Sequence, residues 1–305
     1  MDHPRRVNVE FPSEGAVLRG FLYEALTGEP PFPLVVMAHG TSATIPMVAD
    51  RYAEVFAQAG VSALLYDHRN LGISGGEPRQ EINPWVQSRG YRDAITFAST
   101  LPRHDPSRIA IWGDSYSAGQ VFLVAACDSR VEAVVAQIPV FGAAPPEPDP
   151  QAYAAIRETF DSGDVSGTPE DRVGPLPVVS PDQAGTPSLL APIQAFRWFI
   201  EYGGRFGSGW LNTVTRVVPS NVTPFSPFRC APHVTVPSLM LVASADEMVH
   251  ANPQMSRRAF ESMGEEAEWY DLDGGHFGLL YHPSALFDEA AGIQADFLTR
   301  QLLTG

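Results

Sequence analysis

The stretch Arg108-Ile109-Ala110-Ile111-Trp112-Gly113-Asp114-Ser115-Tyr116-Ser117-Ala118-Gly119 joins an apolar strand-like run to a helix-like one through small residues around a serine. A strand-to-helix turn this tight holds its central residue in a strained backbone conformation. The residues two before and two after it must be small so that strand and helix can approach. Gly113 and Ser117 meet that need for Ser115. A strict G-x-S-x-G pattern has glycine at the last position, so Ser117 is a departure and creates a second frame, Ser115-x-Ser117-x-Gly119. Ser115 stands two residues beyond Gly113, just past the strand-like run, whereas Ser117 would lie inside the helix and point sideways. Ser115 is therefore the candidate nucleophile.

Outward from this turn, strand-like and helix-like runs alternate. Arg6 to Phe11 and Ala16 to Tyr23, separated by Pro12-Ser13-Glu14-Gly15, read as an antiparallel hairpin. Short apolar strands follow at Leu34–Ala38, Ser62–Tyr66, Arg108–Trp112, Val131–Ile138, Ser238–Ala243 and Ala267–Leu272. Helices are expected near Val48–Ala59, Trp85–Ser99, Ala118–Ala126 and Ser284–Leu303. The pattern predicts an α/β fold with a mostly parallel central sheet flanked by helices. The alternation breaks from Gly142 to Cys230, where 89 residues carry 13 of the 28 prolines and no convincing strand. Residues 1–141 and 231–305 thus form the expected core, and 142–230 an inserted lid. Within it Pro192–Tyr202 reads as a helix ended by Gly203-Gly204, with Phe196, Trp198, Phe199 and Tyr202 expected to pack the lid itself.

A serine hydroxyl needs a base within hydrogen-bond reach and a carboxylate to hold that base in the right tautomer. Asp246 lies just past the strand Ser238–Ala243, and His276 in a glycine-rich loop after the strand Ala267–Leu272. Open parallel sheets place their sites at such strand ends. His250, His282, Glu247, Asp271 and Asp273 are rivals; Gly274 and Gly275, which permit the loop to bend back over the sheet, favour His276. Acyl transfer also needs donors for the oxyanion. The strand ending Met37-Ala38-His39-Gly40-Thr41 offers the backbone N–H of Thr41, and the turn offers that of Tyr116. The His39 side chain reads as a structural hydrogen-bonder.

Composition removes other chemistries. Acidic residues number 35 against 20 basic ones, and the net charge of −15 repels nucleic acid and anionic membranes alike. Every basic residue is arginine, so Schiff bases, a P-loop clamp and a Ser-Lys pair are excluded. Two cysteines, Cys127 and Cys230, supply neither a disulfide framework nor a thiolate metal site. Asp271-x-Asp273-Gly274 is only a fragment of a calcium loop, and Gly72-Ile73-Ser74-Gly75-Gly76 lacks dinucleotide spacing; no metal and no cofactor are expected. The segment Met1 to Val7 lacks the apolar region of an export signal, and no run approaches a membrane span, so the expected location is the cytoplasm.

The order Ser115, Asp246, His276 and the strand context resemble the α/β-hydrolase superfamily over Pro33–Gly142 and Thr235–Leu303, the insertion being unmatched. Tyr66-Asp67-His68-Arg69-Asn70-Leu71-Gly72-Ile73-Ser74-Gly75-Gly76 and the helix from Pro84 to Ala94 are, with Trp112–Gly119, similar to the dienelactone-hydrolase-like branch that includes polyketide transferases and thiohydrolases. True dienelactone hydrolases carry a cysteine nucleophile; serine stands here. The resemblance implies a serine hydrolase or acyltransferase acting on a small-molecule ester or thioester, with self-association into a homodimer left open. A non-catalytic ligand receptor on the same scaffold is the alternative from another class.

Overall fold

The computed structural model describes residues 3–303. Met1, Asp2, Thr304 and Gly305, assigned above to the export-signal reading or the core segments, lie outside the described residues. The main sheet has eight strands: β1 (Arg6–Ser13), β2 (Ala16–Tyr23), β3 (Phe32–Ala38), β4 (Ser62–Tyr66), β6 (His104–Asp114), β7 (Val131–Gln137), β10 (Ser238–Ala243) and β11 (Ala267–Leu272). Their spatial order is β1-β2-β4-β3-β6-β7-β10-β11. The β1–β2 hairpin joins β4 antiparallel, and every later neighbour pairs parallel.

Side-chain alternation along the central strands divides the core into two layers. Val35 and Met37 of β3 face a cluster containing Tyr52 and Phe56 of α1 (Ala49–Gln58) and Phe287 and Phe297 of α8 (Ala285–Leu303). Leu34, Val36 and Ala38 face the opposite cluster, with Trp85 and Tyr91 of α2 (Pro84–Ala98), Phe122 of α3 (Ser115–Cys127) and Met255 of α7 (Pro253–Glu261). Burial on both faces explains the near-continuous apolar run of β3. The start of α2 is local chemistry: Asn83 Oδ1 accepts the N–H of Trp85 at 3.0 Å, and Pro84 occupies the first helical position.

Residues 142–230 contain α4 (Ala152–Ser162), α5 (Ile193–Gly203) and α6 (Pro227–Cys230), and also two strands that the sequence did not lead us to expect. These are β8 (Arg172–Leu176) and β9 (Val214–Val217), which join the two-residue β5 (Glu81–Ile82) in a second sheet of order β5-β9-β8. Both are short, and Gly174-Pro175 interrupts β8, an edge strand where a residue without an N–H is tolerated. No apolar alternation survives in so few residues. A second difference is at α3, which begins at Ser115 itself, not at Ala118. No helix among the described residues is long and apolar enough to cross a membrane.

The sheet and α3 touch at Gly113. A Cβ there would stand 2.5 Å from the backbone C and O of Ser117. Gly113→Ala must therefore push α3 off β6, an overpacking expected to cost about 1–3 kcal/mol or more. Urea unfolding of the variant checks this, and an unchanged midpoint would contradict the contact.

Candidate active site

β6 ends at Asp114, and the chain enters α3 with Ser115 at φ +52°, a left-handed conformation that is rare for a residue with a Cβ. The turn aims Ser115 Oγ at the rim formed by the C-terminal ends of the parallel strands. Its partner comes from the loop after β11: His276 Nε2 lies 2.9 Å from Ser115 Oγ. The other ring nitrogen, Nδ1, lies 2.7 Å from Oδ2 of Asp246, in the turn after β10. Asp246 Oδ1 accepts the Met248 N–H at 2.8 Å, which fixes the carboxylate plane. A carboxylate at Nδ1 selects the tautomer with Nδ1–H, and Nε2 is left with its lone pair facing the serine hydroxyl.

The rivals have other positions. Glu247 Oε2 accepts the backbone N–H of His276 at 2.7 Å, so it anchors the loop and not the imidazole. Asp271, Asp273 and His250 are exposed. The His282 ring packs edge-on against Phe287, 4.7 Å between centroids. The two glycines before His276 serve a different purpose from the one expected: neither has a positive φ. A side chain on Gly275 would collide with the Glu247 carboxylate, and one on Gly274 would stand 2.7 Å from Leu286 Cδ2. They are required for close approach, not for bending.

Ser117 is completely buried. Its Oγ donates to the carbonyl of His39 at 2.9 Å, and His68 Nε2 lies 2.9 Å away on its other side. Because the serine proton is committed to a carbonyl, which can only accept, His68 Nε2 must donate. Burial pushes the His68 imidazole down to about 3, so it stays neutral. This pair has no base and no carboxylate behind it.

Opposite Ser115, the loop after β3 carries Thr41 at φ +46°. The Thr41 N–H has no acceptor among the described residues. Tyr116 is the second residue of α3, where amides lack an intrahelical acceptor. Gly40 makes the approach of the two segments close: a Cβ on it would stand 2.8 Å from Ser115 Cβ and 3.1 Å from Tyr116 N. The free space beside Ser115 and His276 is about 20 Å³, bordered by Leu190, Trp198, Phe199 and Met248 among others. That is room for about one water. Trp198 and Phe199, expected to serve only packing within the insertion, thus also face the space next to Ser115. Sequence reading had no signal for this, because helical position alone does not say which core a buried aromatic joins.

A mostly parallel sheet with a serine, an imidazole and a carboxylate gathered at its C-terminal rim is the architecture of the α/β hydrolases. The solved structure of the α/β hydrolase GrgF from Penicillium sp. sh18 superimposes with a TM-score of 0.75 over 98% of this chain and 99% of that one, at 26% identity. The chain belongs to the family of thiohydrolases and polyketide transferases within that fold. It is 30% identical over 298 residues to a thiohydrolase of Eupenicillium brefeldianum, covering 96% of this chain and 94% of the relative. Thiohydrolase aneE of Aspergillus aculeatus is 33% identical over 285 residues, 89% and 86% of the two chains. Polyketide transferase af380 of Aspergillus fumigatus is 29% identical over 281 residues, 88% and 89%. No protein-family model matches the chain.

Ser117→Ala strands the His39 carbonyl and the His68 N–H in the core. The expected loss is roughly 1–3 kcal/mol of stability, read by chemical denaturation. A neutral effect would mean that water or a rearranged side chain satisfies both groups.

Proposed function

We propose that the protein is a serine-dependent hydrolase of carboxylic thioesters or esters that works through an acyl-enzyme. The observation that carries this reading is the unbroken chain from Asp246 Oδ2 through His276 to Ser115 Oγ, at 2.7 and 2.9 Å. In the first half-reaction the Ser115 oxygen forms a bond to the acyl carbon while its proton passes to His276 Nε2. The carbonyl π pair moves onto oxygen, where the N–H groups of Thr41 and Tyr116 receive it. Collapse expels the thiolate or alkoxide, which takes the proton from His276. In the second half-reaction a water gives its proton to the same nitrogen and attacks the acyl carbon. Ser115 then leaves, taking the proton back from His276 Nε2, as the carboxylic acid forms. Asp246 holds the ring in register and offsets the imidazolium charge.

Residues 142–230 act in this scheme as a cap. In support, Leu190, Trp198 and Phe199 from this segment meet Phe277 and Leu280 of the core around the same space. The apolar lining suits a hydrophobic acyl or aryl group, and the thiohydrolase relatives favour a thioester. Both cysteines are free thiols, which agrees with a reducing cytoplasm. Acyl transfer to a second alcohol or amine is the alternative reading, favoured by the relatives named polyketide transferases. Product analysis with competing acceptors separates the two, because a transferase delivers acyl groups to the acceptor in bulk water.

Fluorophosphonate treatment should label the peptide bearing Ser115, and the label should vanish in His276→Ala. Asp246→Asn, which disturbs the tautomer, should lower kcat by about 10⁴-fold. Glu247→Gln keeps an oxygen for the His276 N–H and should stay close to wild type. Label on Ser117, or equal losses in the 246 and 247 variants, would defeat the scheme.

A further inference from the structure

Directly behind Ser115 lies a second imidazole and carboxylate that the acyl-enzyme scheme does not use. His39 follows the end of β3 and Asp114 ends β6; both are buried, at 3% and 0% exposure. His39 Nδ1 stands 2.9 Å from Asp114 Oδ2. Among the described residues Oδ2 has no hydrogen-bond donor aligned on it, so this contact is one of proximity. On the far side of the ring, Nε2 is 2.6 Å from the carbonyl of Met47. A carbonyl only accepts, so Nε2 carries a hydrogen. The other ring nitrogen, Nδ1, accepts the Gly40 N–H at 3.0 Å. The remaining carboxylate oxygen, Oδ1, accepts the Gly40 N–H at 2.9 Å.

These bonds join the two strained segments of the site. Asp114 immediately precedes Ser115, and His39-Gly40 immediately precede Thr41; Ser115 and Thr41 both adopt positive φ. Such conformations cost about 1–3 kcal/mol each and persist only where the surroundings enforce them. The edge of the His39 ring also packs on Trp198, 5.6 Å between centroids, and its carbonyl is held by Ser117. Besides the Ser117 bond to the His39 carbonyl, the Asp114 bond to the Gly40 N–H is the polar tie between the two segments among the described residues.

We propose that His39 and Asp114 form a hydrogen-bonded clamp that positions the Thr41 N–H for the acyl oxygen, making them positioning residues for transition-state stabilisation. The inference rests on the acyl-enzyme reading. The clamp acts through geometry, so an uncharged partner that keeps both bonds should replace the carboxylate. Asparagine at 114 does so: its Oδ1 accepts the Gly40 N–H, which His39 Nδ1 continues to share.

The test compares cleavage of 4-nitrophenyl butyrate with that of its thiono counterpart, in which sulfur replaces the carbonyl oxygen and accepts hydrogen bonds poorly. In the wild type this replacement should lower kcat by about 10²–10³-fold, the effect of losing one oxyanion donor. In Asp114→Ala, kcat on the oxygen ester should fall by a similar factor at unchanged KM, and the oxygen-to-sulfur ratio should shrink toward unity. Asp114→Asn should restore both. His39→Phe keeps the ring against Trp198 without either nitrogen, should behave like Asp114→Ala, and replaces it if that variant does not fold. A general loss of structure would lower both substrates together and leave the ratio at the wild-type value; that result, or an Asp114→Asn variant as impaired as the alanine, overturns the clamp. A wild type that neither cleaves the ester nor takes the fluorophosphonate label overturns the acyl-enzyme reading, and this inference with it.

Discussion

Backbone-to-backbone contact at the end of β6 is the constraint on which the site depends. Gly113 lets α3 sit against the strand, Ser115 turns the chain at φ +52°, and Gly40 brings the neighbouring loop onto the same turn. The two glycines remove side chains that would separate the segments. Once strand, helix and loop touch, the first turn of α3 and the Gly40-Thr41 segment lie against each other beside Ser115. The contact is between backbone segments held by buried groups, so the arrangement exists before any ligand arrives, which is the condition under which amide dipoles stabilise a developing charge most effectively.

Much of this was legible in the sequence because the information is local. Ala16–Tyr23, Ser62–Tyr66, Ser238–Ala243 and Ala267–Leu272 have the same bounds in the structure as in the apolar pattern. Ser115, Asp246 and His276 each follow a strand end closely, and the structure brings these three together. What escaped was what depends on tertiary context. α3 begins three residues earlier than its apolar run, since Ser115-Tyr116-Ser117 has the composition of a turn and becomes helical by packing on Gly113. β8 and β9 carry too few residues, and Gly174-Pro175 in one of them, to show a period. The pairing of His39 with Asp114 spans 75 positions, and nothing in either neighbourhood signals it. The glycines before His276 were read correctly as special and for the wrong reason, because the sequence does not show that Glu247 and Leu286 press against them.

The segment 142–230 shows how two packing roles combine in one helix. Trp198 donates its indole N–H to the Leu280 carbonyl at 2.8 Å and lies between His39, Phe199, Tyr202 and Phe277. It is therefore anchored to the core loop that carries His276. The same ring borders the small space beside Ser115. Any shift of α5 that enlarges this space must break the indole bond and move the aromatic stack as a unit. The size of this space is thus coupled to the placement of one helix, not to a single side chain at the mouth.

The rim is rich in carboxylates, yet each is occupied by backbone. Asp67 accepts the N–H groups of Ile45 and Ile73, Asp114 that of Gly40, Asp246 that of Met248, and Glu247 that of His276. Four acidic side chains thereby fasten five loops around one hydroxyl. Burial raises Asp67 to about 6, so its amide bonds must compensate a costly charge above that pH. Among the described residues no arginine borders the space beside Ser115, so the positive partial charges there are those of peptide N–H groups. Peptide dipoles act over a short range and are aimed at one oxygen, whereas a guanidinium would also attract carboxylate and phosphate groups. A site built this way favours a neutral polar group over an anion in the same position, in a chain whose net charge already repels anions at long range.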